Sequence, residues 1–233
     1  MSLNLYHYHD WENRKNNIIS LIKKQDPDWI TLQEVQTNLS FSAYPQSDFI
    51  ADNCGYKFRV FAPTLARSNA FDKNGNRTQR ASYGQAFLSK YPIVSSDNYF
   101  LQLYPDFNEE MTVLFCKIDI NGKFIDLCDV HFANTGKHSD LHLNELMDLC
   151  EKRKIKPIIM GDFNILDLSI YKSTRLKDYI LSTDITKYIS YPAHNQTLDY
   201  IIVPRSMYDL SNVSCLGEYV SDHKALFADV KIL

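Results

Sequence analysis

Apolar runs along this chain are short, and most of them end abruptly on a polar residue. The clearest is Ile158-Ile159-Met160-Gly161, which follows Pro157 and runs straight into Asp162-Phe163-Asn164. A run without polar alternation suits a strand covered on both faces, here delivering a carboxylate and a carboxamide to the edge of a sheet. Gly161 removes a side chain where the backbone must turn or something must come close. Taken alone, the segment is equally well an ordinary strand followed by an Asx turn.

Near the start, residues 3–6 are a short strand candidate. Trp11, Ile18, Ile19, Leu21 and Ile22 then recur at helical spacing over residues 11–24, with Asp10 placed to cap the first turn and Pro27 to stop the helix. Residues 29–33 form a strand with the polar end Gln33-Glu34. The succession predicts a right-handed βαβ unit. A short helix is expected over 46–53, then strands over 56–61, 82–90, 93–103, 111–120 and 123–131. The last two are joined by Asn121-Gly122, the dipeptide of tight antiparallel hairpins. Leu141, Leu143, Leu146, Met147, Leu149 and Cys150 place an apolar face on a helix over 139–154. A further helix is expected over 174–182, and strands over 197–203, 213–220 and 224–230. Hairpins mixed with a βαβ start predict an α/β protein: a four-layer α/β sandwich of two packed mixed β-sheets flanked by helices, forming a single domain over 1–233. The Asn-Gly hairpin argues against a parallel βα barrel.

Composition narrows the function classes. The 233 residues are 45% hydrophobic, enough for a substantial core, and the net charge is −3. An acidic chain does not coat nucleic acid through bulk charge. A local exception is the polar stretch 63–81, where Arg67, Lys73, Arg77 and Arg80 face only Asp72. Long stretches of this kind are more often functional than idle, so Arg77 and Arg80 are candidate substrate-binding residues for a phosphate-bearing ligand. The five cysteines are odd in number and form no C-x-x-C pair, which favours reduced core thiols and a cytoplasmic setting. The N-terminus is polar by residue 7, unlike a signal peptide, and no run approaches the ~18 apolar residues of a membrane span. No membrane anchor and no obligate protein partner are expected.

The polar residues that terminate strands are the candidate chemistry: Asn4, Glu34, His131, Asp162, Asn164, Asp199 and Asp222-His223. Each alone has an ordinary reading as a solvated strand end, a turn former or a hydrogen-bonded core histidine. Jointly they have the types needed for metal-assisted hydrolysis of a phosphate ester. Glu34 and Asp222 supply hard oxygen ligands without the His and Cys of a zinc site, so Mg²⁺ or Mn²⁺ is the expected ion. Asp162 is a candidate base for a water, and Asn4 and Asn164 can donate to phosphoryl oxygens. Asp199 is available to hold the tautomer of His223.

Leu32-Gln33-Glu34-Val35, Gly161-Asp162-Phe163-Asn164, Leu198-Asp199-Tyr200-Ile201 and Ser221-Asp222-His223, in this order, resemble the endonuclease/exonuclease/phosphatase superfamily. Its members include pancreatic deoxyribonuclease, apurinic endonucleases, neutral sphingomyelinases and inositol polyphosphate 5-phosphatases. The segment from Tyr83 to Ile93 also resembles the family's strand before its central hairpin, so the likeness covers essentially the whole chain. It implies that Glu34, Asp222 and Asn4 hold the metal region. It further implies that Asp162 and Asn164 orient water and phosphoryl group, that Asp199 orients His223, and that His223 contacts the scissile phosphate. His131, in Asp129-Val130-His131-Phe132, matches a histidine that contacts phosphate or assists the leaving group. One departure is Ser82, where many relatives carry an acidic residue that pairs with this histidine. The expected activity is Mg²⁺-dependent, nuclease-like hydrolysis of a phosphodiester or phosphomonoester by water attack. The alternatives are a phosphatase or phosphodiesterase acting on a small-molecule or lipid-headgroup phosphoester, and a binding module that has lost catalysis.

Overall fold

The computed structural model describes residues 1–38, 44–64, 76, 81–107 and 109–233. Two six-stranded mixed sheets pack face to face, with helices on their outer faces. The first sheet contains β1 (Ser2–Asn4), β2 (Trp29–Asn38), β3 (Phe58–Pro63), β4 (Ala81–Ser89), β11 (Tyr208–Leu216) and β12 (Ala225–Ile232), in the order β11-β12-β1-β2-β4-β3. The second contains β5 (Ile93–Phe100), β6 (Thr112–Ile120), β7 (Lys123–His131), β8 (Ile158–Asp162), β9 (Tyr179–Leu181) and β10 (Asp199–Pro204), in the order β5-β6-β7-β8-β10-β9. The expected four layers are therefore present. No helix among the described residues is long and apolar enough to cross a membrane.

Side-chain alternation builds the layers. In β4, Phe87 points between the sheets while Ala86 and Leu88 pack outward under α1 (Trp11–Gln25) and α2 (Gln46–Cys54). In β8, Ile158 and Met160 join the inter-sheet core, and Ile159 packs with α3 (Gly136–Arg153) on the other face. The β8 run carries no polar alternation because both of its faces are covered. β1 and β2 are parallel, as the βαβ reading requires, and Ile120↔Lys123 closes the antiparallel hairpin over Asn121 and Gly122, both at positive φ. All five cysteines are free.

Several local expectations fail. The strand expected over 29–33 continues to Asn38, so that Glu34 lies inside it, and the strand expected over 213–220 runs over Tyr208–Leu216. The helix expected over 174–182 is instead a set of turns, then β9, then the short α4 (Ser182–Ile185). Tyr179 and Leu181 are buried while Ile180 between them is not, a period of two that pairing with β10 satisfies and a helix would not. Asp10 does not cap α1 with its side chain; it stands at φ 47, and its carboxylate accepts from Asn13 Nδ2 at 2.6 Å. The first strand ends at Asn4, because Tyr6 and His7 leave it at φ 52 and 37.

Candidate active site

The expected residues come together where the two sheets meet at one end. In the second sheet, strand register places His131 beside Asp162 and Asp162 beside Asp199, on three adjacent strands. From the first sheet, Asn4 ends β1, and Glu34 sits in a bulge of β2. Gln33 and Glu34 oppose only Gln85, between the pairs Leu32↔Ala86 and Val35↔Gly84, and Glu34 adopts φ 52. Such a bulge re-aims a side chain, here toward the cleft that Glu34 lines. Gly161 makes the close packing possible: at φ 140, a Cβ would lie 2.1 Å from the Val130 carbonyl oxygen.

Asn4 joins the halves. Its Nδ2 donates to Glu34 Oε1 and to Asp162 Oδ2, each at 3.1 Å, while its Oδ1 accepts from the Tyr6 backbone at 3.0 Å. Both donors of the amide are thus engaged within the protein. Asp162 also accepts from the backbone N–H of Asn164 at 3.0 Å, and Asn164 Nδ2 donates to the Phe132 carbonyl at 2.9 Å. His223 Nδ1 is 2.8 Å from Asp199 Oδ2, leaving Nε2 3.8 Å from Asp162 Oδ2. His131 Nε2 stands between two carboxylates, 3.9 Å from Glu34 and 3.8 Å from Asp162. Asp222 lines the same cleft with His223 and Glu34. Arg77 and Arg80 lie outside the described residues.

The profile of the Endonuclease/Exonuclease/phosphatase family matches residues 1–223. The chain belongs to this family. Its fold matches a functionally unknown conserved protein from Enterococcus faecalis V583, with TM-score 0.74 at 15% identity, covering 100% of this chain and 98% of that one. It also matches the endonuclease/exonuclease/phosphatase from Bacteroides vulgatus, with TM-score 0.73 at 16% identity, covering 100% and 97%. The human Nocturnin catalytic domain with bound sulfate anion matches with TM-score 0.70 at 18% identity, covering 96% and 87%. A search of curated protein sequences finds no match.

Electrostatics divide the cleft of this family member into differently charged ends. Burial, reinforced by Asp222, pushes Glu34 up to about 7 despite the hydrogen bond from Asn4. Burial likewise raises Asp162 to about 7, against the pull of His223. Burial opposes charge on His223, yet Asp199 and Asp162 outweigh it and raise the imidazole to about 10. His131 moves the other way: burial and the nearby His223 lower it to about 4, so it is neutral near pH 7. His223 therefore carries a positive charge on one side of Asp162, while Glu34 and Asp222 repel each other on the other.

That repulsion tests the donor set against a divalent cation. The cleft, about 770 Å³, is lined by the carboxylates of Glu34, Glu109, Asp140, Asp162, Asp167 and Asp222, and by no Lys or Arg among the described residues. Hard oxygens with uncompensated charge fit Mg²⁺ or Mn²⁺. One ligand atom each from Asp162, Asp199 and His223 also lie within 4.8 Å of one another. Within that trio, however, His223 already bonds Asp199, and its own positive charge competes with a metal. The Glu34–Asp222 end is the better fit.

Several cleft residues escaped sequence reasoning. Tyr83 lines the cleft together with Glu34, and the Tyr191 ring lies 4.8 Å from that of His223. Behind Asp199, the Ser190 hydroxyl accepts the backbone N–H groups of Leu198 and Asp199 at 2.9 and 3.0 Å. Tyr83-Gly84 was visible only as a strand motif. Tyr191 and Ser190 sit in connections without periodicity, and no local signal marks them.

Proposed function

We propose that the chain is a divalent-metal phosphoesterase that hydrolyses a phosphodiester by water attack. The observation that carries this reading is the meeting of Glu34 and Asp222 with Asp162, His131 and His223 in one acidic cleft whose lining holds no Lys or Arg among the described residues. Glu34 and Asp222 would hold the ion, whose charge would neutralise the phosphoryl oxygens. Asp162, raised to about 7, is matched to accept a proton from water near neutral pH. Asn4 and the backbone N–H of Asn164 aim its carboxylate. His223, held in one orientation by Asp199, presents a protonated Nε2 to the phosphoryl group. His131 is neutral and offers hydrogen bonding without adding charge.

Two substrate readings stand. A nuclease would use Arg77 and Arg80 along a phosphate backbone. A small or headgroup phosphoester is favoured by the cleft lining, in which acidic groups alternate with Ile165, Leu166 and Ile170, the latter two exposed. The test is hydrolysis with Mg²⁺ or Mn²⁺ over plasmid, abasic DNA, single-stranded RNA, inositol phosphates, sphingomyelin and an aryl phosphodiester. Metal-dependent cleavage that Asp162→Asn abolishes without loss of fold is expected. Plasmid nicking that weakens steeply with salt would select the nuclease, whereas salt-insensitive cleavage of small diesters with intact plasmid would select the other reading. A parent protein inert toward the whole panel would overturn both and leave a binding module.

A further inference from the structure

Arg14 lies behind the cleft, in the first turn of α1, and its guanidinium is buried. It bonds main-chain carbonyls from two separate connections. Nε donates to His9 O at 2.8 Å, and Nη1 donates to Leu5 O at 3.0 Å and to Val220 O at 2.7 Å. Nη2 donates to Tyr6 O at 3.4 Å, to His7 O at 3.3 Å and again to His9 O. The carbonyls of Leu5, Tyr6, His7 and His9 belong to the β1–α1 connection and that of Val220 to the β11–β12 connection.

Both connections are wound in a way that ordinary residues disfavour. Tyr6, His7 and Asp10 stand at φ 52, 37 and 47, and Tyr219 at φ 66. Conformations of this kind persist only where the surroundings over-determine them. A guanidinium is suited to the task, because its donors radiate in a fixed plane that a lysine ammonium cannot reproduce. The stapled segments carry cleft residues: Asn4, Tyr6 and His7 at one end, and Asp222 and His223 just beyond Val220 at the other.

We propose that Arg14 is a positioning residue that ties these two connections together and thereby fixes Asp222 opposite Glu34 at the cation end of the cleft. This rests on the metal reading given above. Its acceptors are carbonyls, so its effect is exerted through backbone placement. Its charge adds to this, standing behind Asp222 and Glu34, which are among the groups that favour its protonated form against burial.

The experiment compares the parent with Arg14→Lys by calorimetric titration with Mg²⁺, thermal unfolding and steady-state kinetics. Arg14→Lys is expected to bind Mg²⁺ at least about tenfold more weakly, as removal of a group supporting metal ligands generally does. Its kcat should recover as Mg²⁺ is raised. A lower melting temperature with unchanged Mg²⁺ affinity would overturn the proposal and leave the metal reading intact, whereas a parent that binds no Mg²⁺ would overturn both. If Arg14→Lys does not fold, hydrogen exchange on the parent decides: amides of 5–10 and 217–222 should slow together on adding Mg²⁺. Independent exchange of the two segments would overturn the staple.

Discussion

Asn4→Ala probes the link between the two sheets, and its cost should depend on pH in a defined direction. The amide donates to Glu34 and Asp162, both at 3.1 Å, and both carboxyls are raised to about 7 in the fold. In the unfolded chain both return to about 4. Above pH 8 the carboxylates are ionised, and each lost bond is charge-assisted, worth about 1.5–3 kcal/mol, so the variant should lose about 3–6 kcal/mol. At pH 5 the folded carboxyls are largely protonated and each bond is a neutral one, worth about 0.5–1.5 kcal/mol, for a loss of about 1–3 kcal/mol. Packing lost with the side chain is common to both conditions and cancels. The sign follows from linkage. Raised carboxyls favour folding below their unfolded values, and that contribution disappears as pH rises toward 7; removing Asn4 raises them further and steepens the decline. Urea unfolding of parent and variant in chelator, at pH 5 and pH 8.5, measures the difference at constant m. A loss equal at the two pH values, or larger at pH 5, would refute this reasoning.

Three further outcomes are expected. A proton on Glu34 competes with a cation, so apparent Mg²⁺ affinity should weaken by up to about tenfold per pH unit below 7; calorimetry at pH 6 and 8 checks this, and a pH-independent affinity would remove Glu34 from the ligand set. Asp199→Asn removes the partner that most strongly holds His223 protonated, so the alkaline limb of the pH–rate profile should move below about 10 and kcat should fall by orders of magnitude. An unmoved limb would show that His223 does not govern it. Gly161→Ala sets a Cβ 2.1 Å from the Val130 carbonyl at φ 140, and urea unfolding should show a loss above about 3 kcal/mol; a loss under 1 kcal/mol would mean that the strand pair relaxes freely.

How far the chain could be read before folding depends on where the information lies. The end of β8 was legible because its apolar run stops within a residue of Asp162, and local pattern alone sets that boundary. The bulge that aims Glu34 was not. It arises from mismatched pairing with β4, and nothing in Leu32-Gln33-Glu34-Val35 distinguishes it from a regular strand. No local signal marks Arg14, since its acceptors come from segments brought together only by the fold. β9 failed for a related reason: Tyr179 and Leu181 take their period from the neighbouring strand rather than from intrinsic preference.

The site's placement depends on ties between the two sheets. Each sheet holds part of the constellation, and amides of the first sheet reach carboxyls of the second: Asn4 to Asp162, and Gln33 to buried Asp129 at 2.5 Å. Gln33 precedes Glu34, and Asp129 lies on β7 just before His131, so each tie fixes a neighbouring cleft residue. Burial raises Asp129 well above the usual carboxylate range, against the hydrogen bond from Gln33. The spacing of Glu34 from Asp162 is therefore set by the register at which Phe87, Leu114, Met160 and Ile201 pack between the sheets. A one-residue slip of β8 or β10 would turn Asp162 or Asp199 away from its present face. The same apolar contacts that stabilise the sandwich thus define the separation across which the chemistry is proposed to occur.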